Sequence, residues 1–424
     1  MKGAVRSAGW RRALPPVLAL ALTCAAVAWA WPSGVEPWRA AGIVSAWAGT
    51  ALLVASMLLM VREPVLARQW GGLEAMMAWH HRIGVLAYVM LLVHPLCLAL
   101  DAWQERPARA WQLLAPWQQS WPVWIGWLGL VLLMLGLGVT FARSVGYRRW
   151  RTWHQWLALG VGLGLAHVLV LLGSTALPLA FAGLALAAVA WRMLVTDRGL
   201  SALPYQVSGV THPAHDVVEA TLRPLAGPMK PAPGQFVLAR FVDSDRYAAC
   251  GEFHPFTVSG IDAAGRLRVT IKALGLCSAQ IQAIDPGALV RLQGPFGDFL
   301  GAAGSSPQLW VAGGIGITPF MAFLRQHRCV QPTALLYLYR TPSDAAFLDE
   351  LQTLQASDPM FQLVARETGP DAPQLEPLLS AVDRVAEREV HVCGPAPLSA
   401  RLRGMLQALG VPHTAIHFES FDFR

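Results

Sequence analysis

Six long apolar stretches, the last of which ends at Val195, constrain the fold of this 424-residue chain more than any other feature. Each is about 20 residues long, the length of helix that crosses the hydrocarbon core of a bilayer. The chain also has a mean hydropathy of +0.42 and 18 Trp, which is too apolar for a soluble enzyme of this size. We therefore predict a bundle of six transmembrane helices, over approximately residues 14–31, 41–61, 83–100, 123–141, 156–172 and 176–195.

The first apolar stretch also has features of a cleaved signal peptide. Arg11 and Arg12 precede it, and Ala28-Trp29-Ala30 resembles a small-residue cleavage site. Its apolar run is long for a signal peptide, which favours a retained helix. The later helices have the same orientation in both cases.

Basic side chains beside the apolar stretches predict the orientation of the helices, because loops rich in Lys and Arg stay on the cytoplasmic side. Two alternate connections carry them, Arg62 and Arg68 in one, and Arg143, Arg148, Arg149 and Arg151 in the other. The net charge of +7 is attributed to such loops, so no nucleic-acid partner is predicted. We expect a multi-pass protein of the inner (cytoplasmic) membrane with both termini in the cytoplasm.

The residues after Val195 have the charge and the Pro and Gly content of soluble domains. From about residue 204 to 299, β-rich runs alternate with turns, which predicts a small antiparallel barrel. From Gln308 onward, buried strands alternate with helices, which is typical of a doubly wound α/β domain. The predicted domains are therefore 1–198, 199–303 and 304–424. The six Cys show no spacing typical of zinc, an iron–sulfur cluster or a disulfide framework.

Five of the 12 His lie in the membrane half, in or beside the third and fifth apolar stretches: His80, His81, His94, His154 and His167. An imidazole is costly in lipid unless it faces the bundle interior and has a function. On a helix, His80 and His94 fall within about 40° of one face and about 21 Å apart. His154 and His167 are about 20 Å apart but about 140° out of phase, which a local unwinding or a tilt must absorb.

Two helices that each offer a His at two depths fit two stacked haems, with each iron held axially by two imidazoles. The predicted metal ligands are His80, His94, His154 and His167. His81 is the alternative to His80, although its angular position relative to His94 is less favourable. A histidine array for proton relay is the competing interpretation of the same residues.

Two segments of the predicted barrel have the chemistry of a flavin site. The first is His254-Pro255-Phe256-Thr257-Val258-Ser259. Its hydroxyls and amides can bond the polar edge of a flavin, while its His and Phe offer flat contact surfaces. In the second segment, a strand containing Lys272 leads into Gly275 and Ser278 ahead of a helix-like run, where backbone amides bind diphosphate. Alone, the first segment would also suit an ordinary strand and turn.

The predicted α/β domain has the segments of a nicotinamide-nucleotide site. A glycine cluster follows one buried strand and precedes a helix, with the candidate residues Gly313, Gly314, Gly316, Thr318 and Pro319. Its backbone can approach a pyrophosphate, whose charge the helix N-terminus stabilises. After another buried strand, Cys393-Gly394-Pro395 is expected at the same edge of the sheet. Arg340 follows a third strand and either holds an adenosine 2′-phosphate or is a surface arginine.

Together these residues resemble the NADPH oxidase and ferric reductase superfamily, over essentially the whole chain. The resemblance implies a six-helix ferric-reductase-like membrane domain followed by a ferredoxin-reductase-like module with an FAD barrel and an NAD(P) domain. It pairs His80 with His154 at an inner b-type haem and His94 with His167 at an outer one. It also implies that HPFTVS binds the flavin, that GGIGITPF binds the nucleotide phosphates, and that CGP lies near the nicotinamide.

The resemblance extends to the C-terminus, where bacterial members of the superfamily have an aromatic residue that covers the flavin ring. Phe421 is the preferred candidate for this role, and Phe423 is the second. The diphosphate segment departs from the pattern, because relatives often have an aromatic residue followed by Thr where this chain has Cys277 and Ser278. The Ser278 hydroxyl can donate the same hydrogen bond, so FAD is still expected.

The predicted activity is electron transfer from NADPH or NADH through FAD and two haems to an external acceptor, either ferric iron as a chelate or dioxygen. FAD is needed because hydride delivers two electrons, whereas haem takes one at a time. We favour ferric chelate on the bacterial character of the C-terminus. The alternatives are a membrane electron-transfer subunit that supplies a periplasmic partner enzyme, and a non-catalytic proton or ion pathway. The sequence identifies no protein partner.

Overall fold

A computed structural model describes residues 2–419 except 142–145, 243–246, 248–249, 302–305 and 371–373. The chain divides into two compact units, Met1–Arg198 and Gly199–Arg424. The described residues of the first unit form helices and turns, and all eleven described strands belong to the second.

The described residues of the membrane unit form eight α-helices, of which the third and fifth are short. They are α1 (Lys2–Trp29), α2 (Pro37–Leu59), α3 (Pro64–Gln69), α4 (Leu73–Glu105), α5 (Pro107–Leu114), α6 (Trp121–Phe141), α7 (Tyr147–Leu172) and α8 (Ala176–Ala190). Within the described residues, α2, α4, α6, α7 and α8 are long and apolar enough to cross a membrane, with α8 counted together with the π-helical turn Trp191–Asp197. The apolar part of α1, Ala13–Trp29, is shorter. The six predicted stretches therefore form helices, of which five have the length and hydropathy of a span.

Helix α2 is the most buried span of this unit. It packs against α1, α4 and α8, whereas α4, α6, α7 and α8 expose most of their residues, as lipid-facing helices do. Trp47 of α2 makes edge-to-face contacts with Trp29 of α1 and Phe181 of α8, at ring-centroid distances of 5.4 and 6.3 Å. Helices α6 and α7 form a second packed pair. The unit therefore places α4 against α2 and α7 against α6.

The second unit begins with a closed antiparallel barrel of six strands in the order β1-β2-β5-β4-β3-β6. Its strands are β1 (Leu203–Ala214), β2 (Val217–Pro224), β3 (Phe236–Phe241), β4 (His254–Ile261), β5 (Leu267–Lys272) and β6 (Leu289–Phe296), and α9 (Leu276–Ile281) follows β5. In β4, Val258 belongs to the barrel core. Because side chains alternate along a strand, Thr257 and Ser259 lie on the opposite face of β4.

A five-stranded parallel sheet in the order β11-β10-β7-β8-β9 completes the second unit. Its elements are β7 (Gln308–Gly313), α10 (Thr318–Leu324), β8 (Thr333–Tyr339), α11 (Leu348–Ser357), β9 (Phe361–Glu367), α12 (Glu376–Ser380), β10 (Glu389–Cys393), α13 (Ala396–Ala408) and β11 (Ile416–Glu419). Separate hydrophobic clusters, one around Trp310 and Phe320 and one around Leu309 and Val390, cover its two faces. Helix α10 also packs against β4 of the barrel.

The predicted fold class, a transmembrane helical bundle followed by an antiparallel barrel and a parallel α/β domain, is confirmed. One expectation from the cysteine spacing was wrong, because Cys250 and Cys277 form a disulfide with Cα atoms 4.8 Å apart. These residues are 27 positions apart, and it is the fold of the barrel that brings them together. Their spacing in the sequence therefore carries no signal for the pair.

Candidate functional site

Four histidines of the membrane unit lie on two helices, His80 and His94 on α4 and His154 and His167 on α7. On α4, both rings turn Nδ1 toward α2. The Nδ1 of His80 lies 2.8 Å from the carbonyl oxygen of Ser56, and the Nδ1 of His94 lies 2.8 Å from that of Gly42. A carbonyl oxygen only accepts, so Nδ1 carries the proton and donates in both rings.

The two histidines of α7 turn the same nitrogen toward α6. The Nδ1 of His167 donates to the carbonyl oxygen of Pro122 at 2.8 Å, and the Nδ1 of His154 lies 3.3 Å from the Thr140 hydroxyl. Metal-binding histidines in proteins have this arrangement, in which one ring nitrogen bonds a protein oxygen and fixes the tautomer. Nε2 is then the nitrogen of each ring that can bind iron.

The rings of His80 and His154 are next to each other, with centroids 6.1 Å apart and planes at 75°. A metal–imidazole bond is about 2 Å long, and the ring centre lies about 1 Å beyond the nitrogen. Two rings that bind one metal from opposite sides therefore have centroids about 6 Å apart. The spacing therefore fits an iron held between these two rings. The neighbouring His81 is exposed, so the structure favours His80 of the two.

Helix α7 is continuous over its whole length, so the local unwinding considered for His154 and His167 is not present. Both rings instead bond to α6. Gly126 of α6 makes room for one of them, because a Cβ at this position would lie 2.8 Å from the Nδ1 of His167. Sequence reasoning missed this residue, although a small residue on a membrane helix is a signal for close packing.

The hydroxyl of Thr257 in β4 is buried and has no hydrogen-bond partner in the protein. Leaving such a group unsatisfied costs about 1–3 kcal/mol, so a ligand that bonds it gains that contact. This residue fits the polar edge of a flavin. Ser259, by contrast, donates to the Glu219 carboxylate at 2.6 Å and accepts from the Thr270 hydroxyl at 2.8 Å. Of the two predicted hydroxyls, that of Thr257 is therefore the one without a hydrogen-bond partner in the protein and the one that a flavin could bond.

The rest of the first flavin segment lies in the same strand. The rings of His254 and Phe256 have centroids 6.5 Å apart, and Pro255 between them pairs with Leu238 of β3. The two flat surfaces predicted for flavin contact are therefore close together at the start of β4, on the face of Val258, where Phe256 packs against the barrel core, and opposite Thr257.

The side chains of the second flavin segment already have partners within the protein. Lys272 pairs with Asp344 at 3.2 Å, and the hydroxyl of Thr341 together with Lys272 holds the pKa of Asp344 below its usual range. The Ser278 hydroxyl accepts from the amide of Gly275 at 2.9 Å and so closes the first turn of α9. A diphosphate contact at these residues stays a prediction.

The glycine loop and the CGP segment meet at the carboxyl edge of the parallel sheet. Strands β7 and β10 are neighbours and end at Gly313 and Cys393, where Ala312 is the partner of Cys393. A Cβ on Gly316 would collide with the carbonyl oxygen of Cys393, so only glycine permits this approach. The two segments therefore form one surface, as the edge of a nucleotide-binding sheet requires.

Both segments continue into helices. Thr318 and Pro319 open α10, where the Thr318 hydroxyl donates to the carbonyl oxygen of Ile315 at 3.0 Å. Gly394 and Pro395 lead from β10 into α13. The short path from strand to helix in both places is what a phosphate-binding turn needs.

Arg340 directly follows β8 and is exposed at the same edge of the sheet. Its carbonyl oxygen accepts from the amide of Gly369 at 3.0 Å, which fixes the backbone there. Phe421, Phe423 and Arg143 lie outside the described residues.

His391 is a buried titratable residue that the sequence analysis did not single out. It lies in β10, it is fully buried, and neither ring nitrogen has a hydrogen-bond partner. Its ring stacks on that of His417 with centroids 4.6 Å apart. Burial, and then the proximity of His417, lowers the pKa of His391 to about 3. The pattern of the sequence does not distinguish it from any other position of the strand.

Comparison with known proteins finds a family match in each half of the chain. Residues 45–165 match the family described as ferric reductase like transmembrane component, and residues 310–403 match the oxidoreductase NAD-binding domain. The toluate 1,2-dioxygenase electron transfer component of Pseudomonas putida is 27% identical over 201 residues, which are 45% of this chain and 58% of the relative. The 3-ketosteroid-9-alpha-monooxygenase ferredoxin reductase component of Mycobacterium tuberculosis is 31% identical over 209 residues, 45% of this chain and 54% of the relative.

The chain therefore spans little more than half the length of these curated relatives. Among solved structures, the flavohem-like FAD/NAD binding domain of nitric oxide dioxygenase from Vibrio cholerae O1 biovar El Tor is 21% identical and has a TM-score of 0.45. That likeness covers 51% of this chain and 97% of the domain.

The fold and the two matches define the class to which this chain is similar, which combines a ferric reductase like transmembrane component with an oxidoreductase NAD-binding domain. Within that class, the chain joins a ferric-reductase-like transmembrane domain to a ferredoxin-reductase-like module, with an FAD-type barrel and a parallel NAD-binding sheet. The family resemblance and the membrane-spanning domain predicted from the sequence are thereby confirmed.

Proposed function

We propose that the chain carries electrons across the inner membrane, from cytoplasmic NADPH or NADH through FAD and two b-type haems to an external acceptor. The orientation of four histidines is the observation that supports this most. Each turns Nδ1 toward an oxygen of α2 or α6, which leaves Nε2 for a metal. A proton relay has no need for the same nitrogen of all four rings to be bonded to a neighbouring helix.

His80 and His154 would hold the inner haem, and His94 and His167 the outer one. The 14 residues between the two histidines of α4 correspond to about 21 Å, and the 13 residues on α7 to about 20 Å, so each helix supplies one ligand at each of two depths. Both metal ligands at each depth would then come from this chain, and an external acceptor would be reduced without binding the metal.

In the second unit, Thr257 would bond the polar edge of the flavin, and the loop from Gly313 to Thr318 would hold the pyrophosphate of the nicotinamide nucleotide. Cys393 would lie near the nicotinamide. Bound FAD supplies the conversion of a two-electron hydride into single electrons, which haem accepts one at a time. Lys272 and Ser278 would add contacts to the flavin diphosphate.

Phe421 would cover the flavin face where nicotinamide stacks, because β11 ends at Glu419 beside the strand that carries Cys393. Removal of residues 421–424 is then expected to change the rates of flavin reduction by NADPH and NADH while the haem spectrum stays the same. Unchanged rates and an unchanged preference between the two nucleotides would remove this role.

Ferric chelate is our preferred acceptor and dioxygen the second. A different candidate function, an electron-transfer subunit for a periplasmic partner enzyme, is favoured by the relatives themselves. Two of them are named as an electron transfer component and a ferredoxin reductase component. Such proteins are parts of larger systems, and the present chain would then need a protein acceptor.

One assay tests these functions on the purified chain in detergent. NADPH is added, and haem reduction is followed with ferric citrate, with dioxygen, and with dioxygen plus superoxide dismutase. Haem reduction without any partner supports the electron route, and its absence would reject it. Turnover with ferric citrate supports the reductase, a signal that dismutase removes supports oxygen reduction, and haem reduction without turnover supports the partner-dependent function.

A further inference from the structure

Arg325, at the C-terminal end of α10, joins the α/β domain to the barrel through an ion-pair network that is buried at Glu219 and more exposed at Glu350. Its guanidinium donates two hydrogen bonds of 2.7 Å to Glu350 of α11. It also donates to Glu219 of β2 at 2.7 Å and to the carbonyl oxygen of Ser259 in β4 at 3.0 Å. The Arg325 side chain is 11% exposed and that of Glu219 6%, so water screens this contact little.

The barrel side of the network is fully bonded as well. Glu219 accepts from the Ser259 hydroxyl at 2.6 Å, and the single proton of the Thr270 hydroxyl is shared between Ser259 at 2.8 Å and Glu219 at 3.1 Å. Burial alone would lower the pKa of Arg325, but its hydrogen bonds to Glu350 and Glu219 raise the pKa above its usual value. A buried network in which each member has its partners is rigid and fixes one arrangement of the elements it joins.

This network lies between two parts of the proposed hydride-transfer site. Ser259 is two residues after Thr257 on the same face of β4, about 7 Å along the strand. Helix α10 begins at Thr318, directly after the glycine loop, and reaches Arg325 after about 10 Å. The bonds of Arg325 therefore hold the helix that follows the nucleotide loop against the strand that carries the flavin-facing hydroxyl.

We propose that Arg325 is a positioning residue for hydride transfer. Through its bonds to Glu219 and Ser259, Arg325 sets the distance between nicotinamide and flavin. The proposal rests on the proposed function of the module. Reacting atoms must approach to about 3–3.5 Å, so a looser link slows the transfer without weakening the binding of either group. Glu350 lies in the same domain as Arg325 and orients its guanidinium.

The test uses the full chain in detergent, loaded with FAD. Arg325→Met removes the link, and a double variant with Glu219→Gln also removes the carboxylate charge that the single variant leaves buried. Arg325→Lys keeps the charge without the forked geometry. Arg266→Met is the matched control, because it breaks the more exposed pair of Arg266 with Asp262 on the same barrel.

Four quantities are measured for each protein. They are the rate of flavin reduction by NADPH in stopped flow, the Kd for NADP⁺, the FAD content, and the hydrogen exchange of peptides that cover β4 and α10. The last three do not depend on turnover, so they separate a misplaced nucleotide domain from a damaged one.

We expect both variants with Arg325→Met to reduce flavin ten- to a hundredfold more slowly, on the order of the effect of a 1 Å misplacement. In these variants the FAD content and the Kd for NADP⁺ stay at the wild-type values, while hydrogen exchange in β4 and α10 becomes faster. The rate of flavin reduction by Arg325→Lys is expected to lie between those of the wild type and Arg325→Met. Arg266→Met matches the wild type in all four measurements.

Two results would overturn the role of Arg325. One is a double variant with full FAD content that reduces flavin at the wild-type rate, and the other is a slower rate accompanied by an equal loss of FAD or nucleotide affinity. Failure of the proposed function is a separate result. It would be seen in the wild type itself, as FAD-loaded protein that NADPH does not reduce, and the positioning role would fall with it.

Discussion

The two units of this protein use polar side chains in opposite ways. In the membrane unit, the four predicted haem ligands each bond one ring nitrogen to a neighbouring helix and keep the other available. In the soluble unit, three predicted cofactor contacts are bonded within the protein, since Lys272 pairs with Asp344, Ser278 caps α9 and Ser259 bonds Glu219. A polar residue in a soluble domain has many structural uses, whereas one in lipid has few.

This difference determines how well each motif predicts a functional site. Burying a histidine in a membrane helix costs free energy, so a histidine found there indicates a site directly. A hydroxyl or an ammonium group at the surface of a barrel strand has no such burial cost. Its position in a motif therefore makes it only a candidate for a cofactor contact. The structure then separates Thr257, which is buried and unbonded, from Ser259, which is buried and bonded.

The largest effect is expected from a histidine of the membrane unit. His94→Ala removes a proposed outer ligand, so the haem content falls from two per chain to one and external reduction is abolished while FAD stays bound. His81→Ala is the matched control, because this exposed neighbour of His80 on α4 is not a preferred ligand. Haem is measured by the pyridine haemochrome spectrum of the purified proteins. Two haems in the His94→Ala protein would show that the ligand assignment is wrong.

Much of this architecture could be predicted from the sequence because its signals are local. Apolar runs locate membrane helices, and the alternation of strands and helices predicted from Gln308 onward begins at the first residue of β7. Contacts between distant residues could not be predicted in the same way. Gly126 opposite His167, the disulfide of Cys250 with Cys277, and the bond of Arg325 to Glu219 depend on which elements become neighbours.

The contrast between Thr257 and Ser259 gives the second prediction. Thr257→Ala removes a hydroxyl available to the flavin, so FAD is expected to bind roughly three- to tenfold more weakly, the equivalent of one hydrogen bond. Ser259→Ala instead leaves Glu219 with one donor fewer, which lowers the stability of the second unit by about 1–3 kcal/mol without weakening FAD. FAD titration and thermal unfolding measure the two effects. Equal losses of FAD affinity in both variants would remove the distinction between these hydroxyls.

The third prediction concerns Arg340, which is exposed, whereas Lys272, Ser278 and Ser259 are bonded within the protein. Arg340→Ala should raise the KM for NADPH roughly three- to tenfold over that for NADH, because an exposed charge contributes less to phosphate binding than a buried one. Arg328→Ala, an exposed arginine beyond α10, is the control. Steady-state kinetics with NADPH and with NADH measure this effect. An equal change of KM for both nucleotides would leave no basis for a preference for NADPH.

The last prediction concerns His391. Unlike the four histidines of the membrane unit, it is a buried histidine whose two ring nitrogens have no hydrogen-bond partner. Its pKa is about 3 in the folded protein and about 6.5 when unfolded. Above pH 6.5 the ring is neutral in both states, and its contribution to stability does not change with pH. Between pH 6.5 and 3 the unfolded state binds a proton that the folded state refuses, so the free energy of unfolding falls, by about 2 kcal/mol at pH 5.

Replacing this imidazole by an apolar side chain is expected to remove that part of the pH dependence. His391→Leu should therefore gain unfolding temperature relative to the wild type as the pH is lowered from 7.5 to 5, while His212→Gln, at an exposed position, follows the wild type. Thermal scans of the FAD-loaded chain at pH 7.5, 6 and 5, with flavin fluorescence as the signal for unfolding of the second unit, give the comparison. A difference between His391→Leu and wild type that is the same at all three pH values would mean that the ring accepts a proton in the folded state, and that a buried histidine of the soluble unit finds a partner after all.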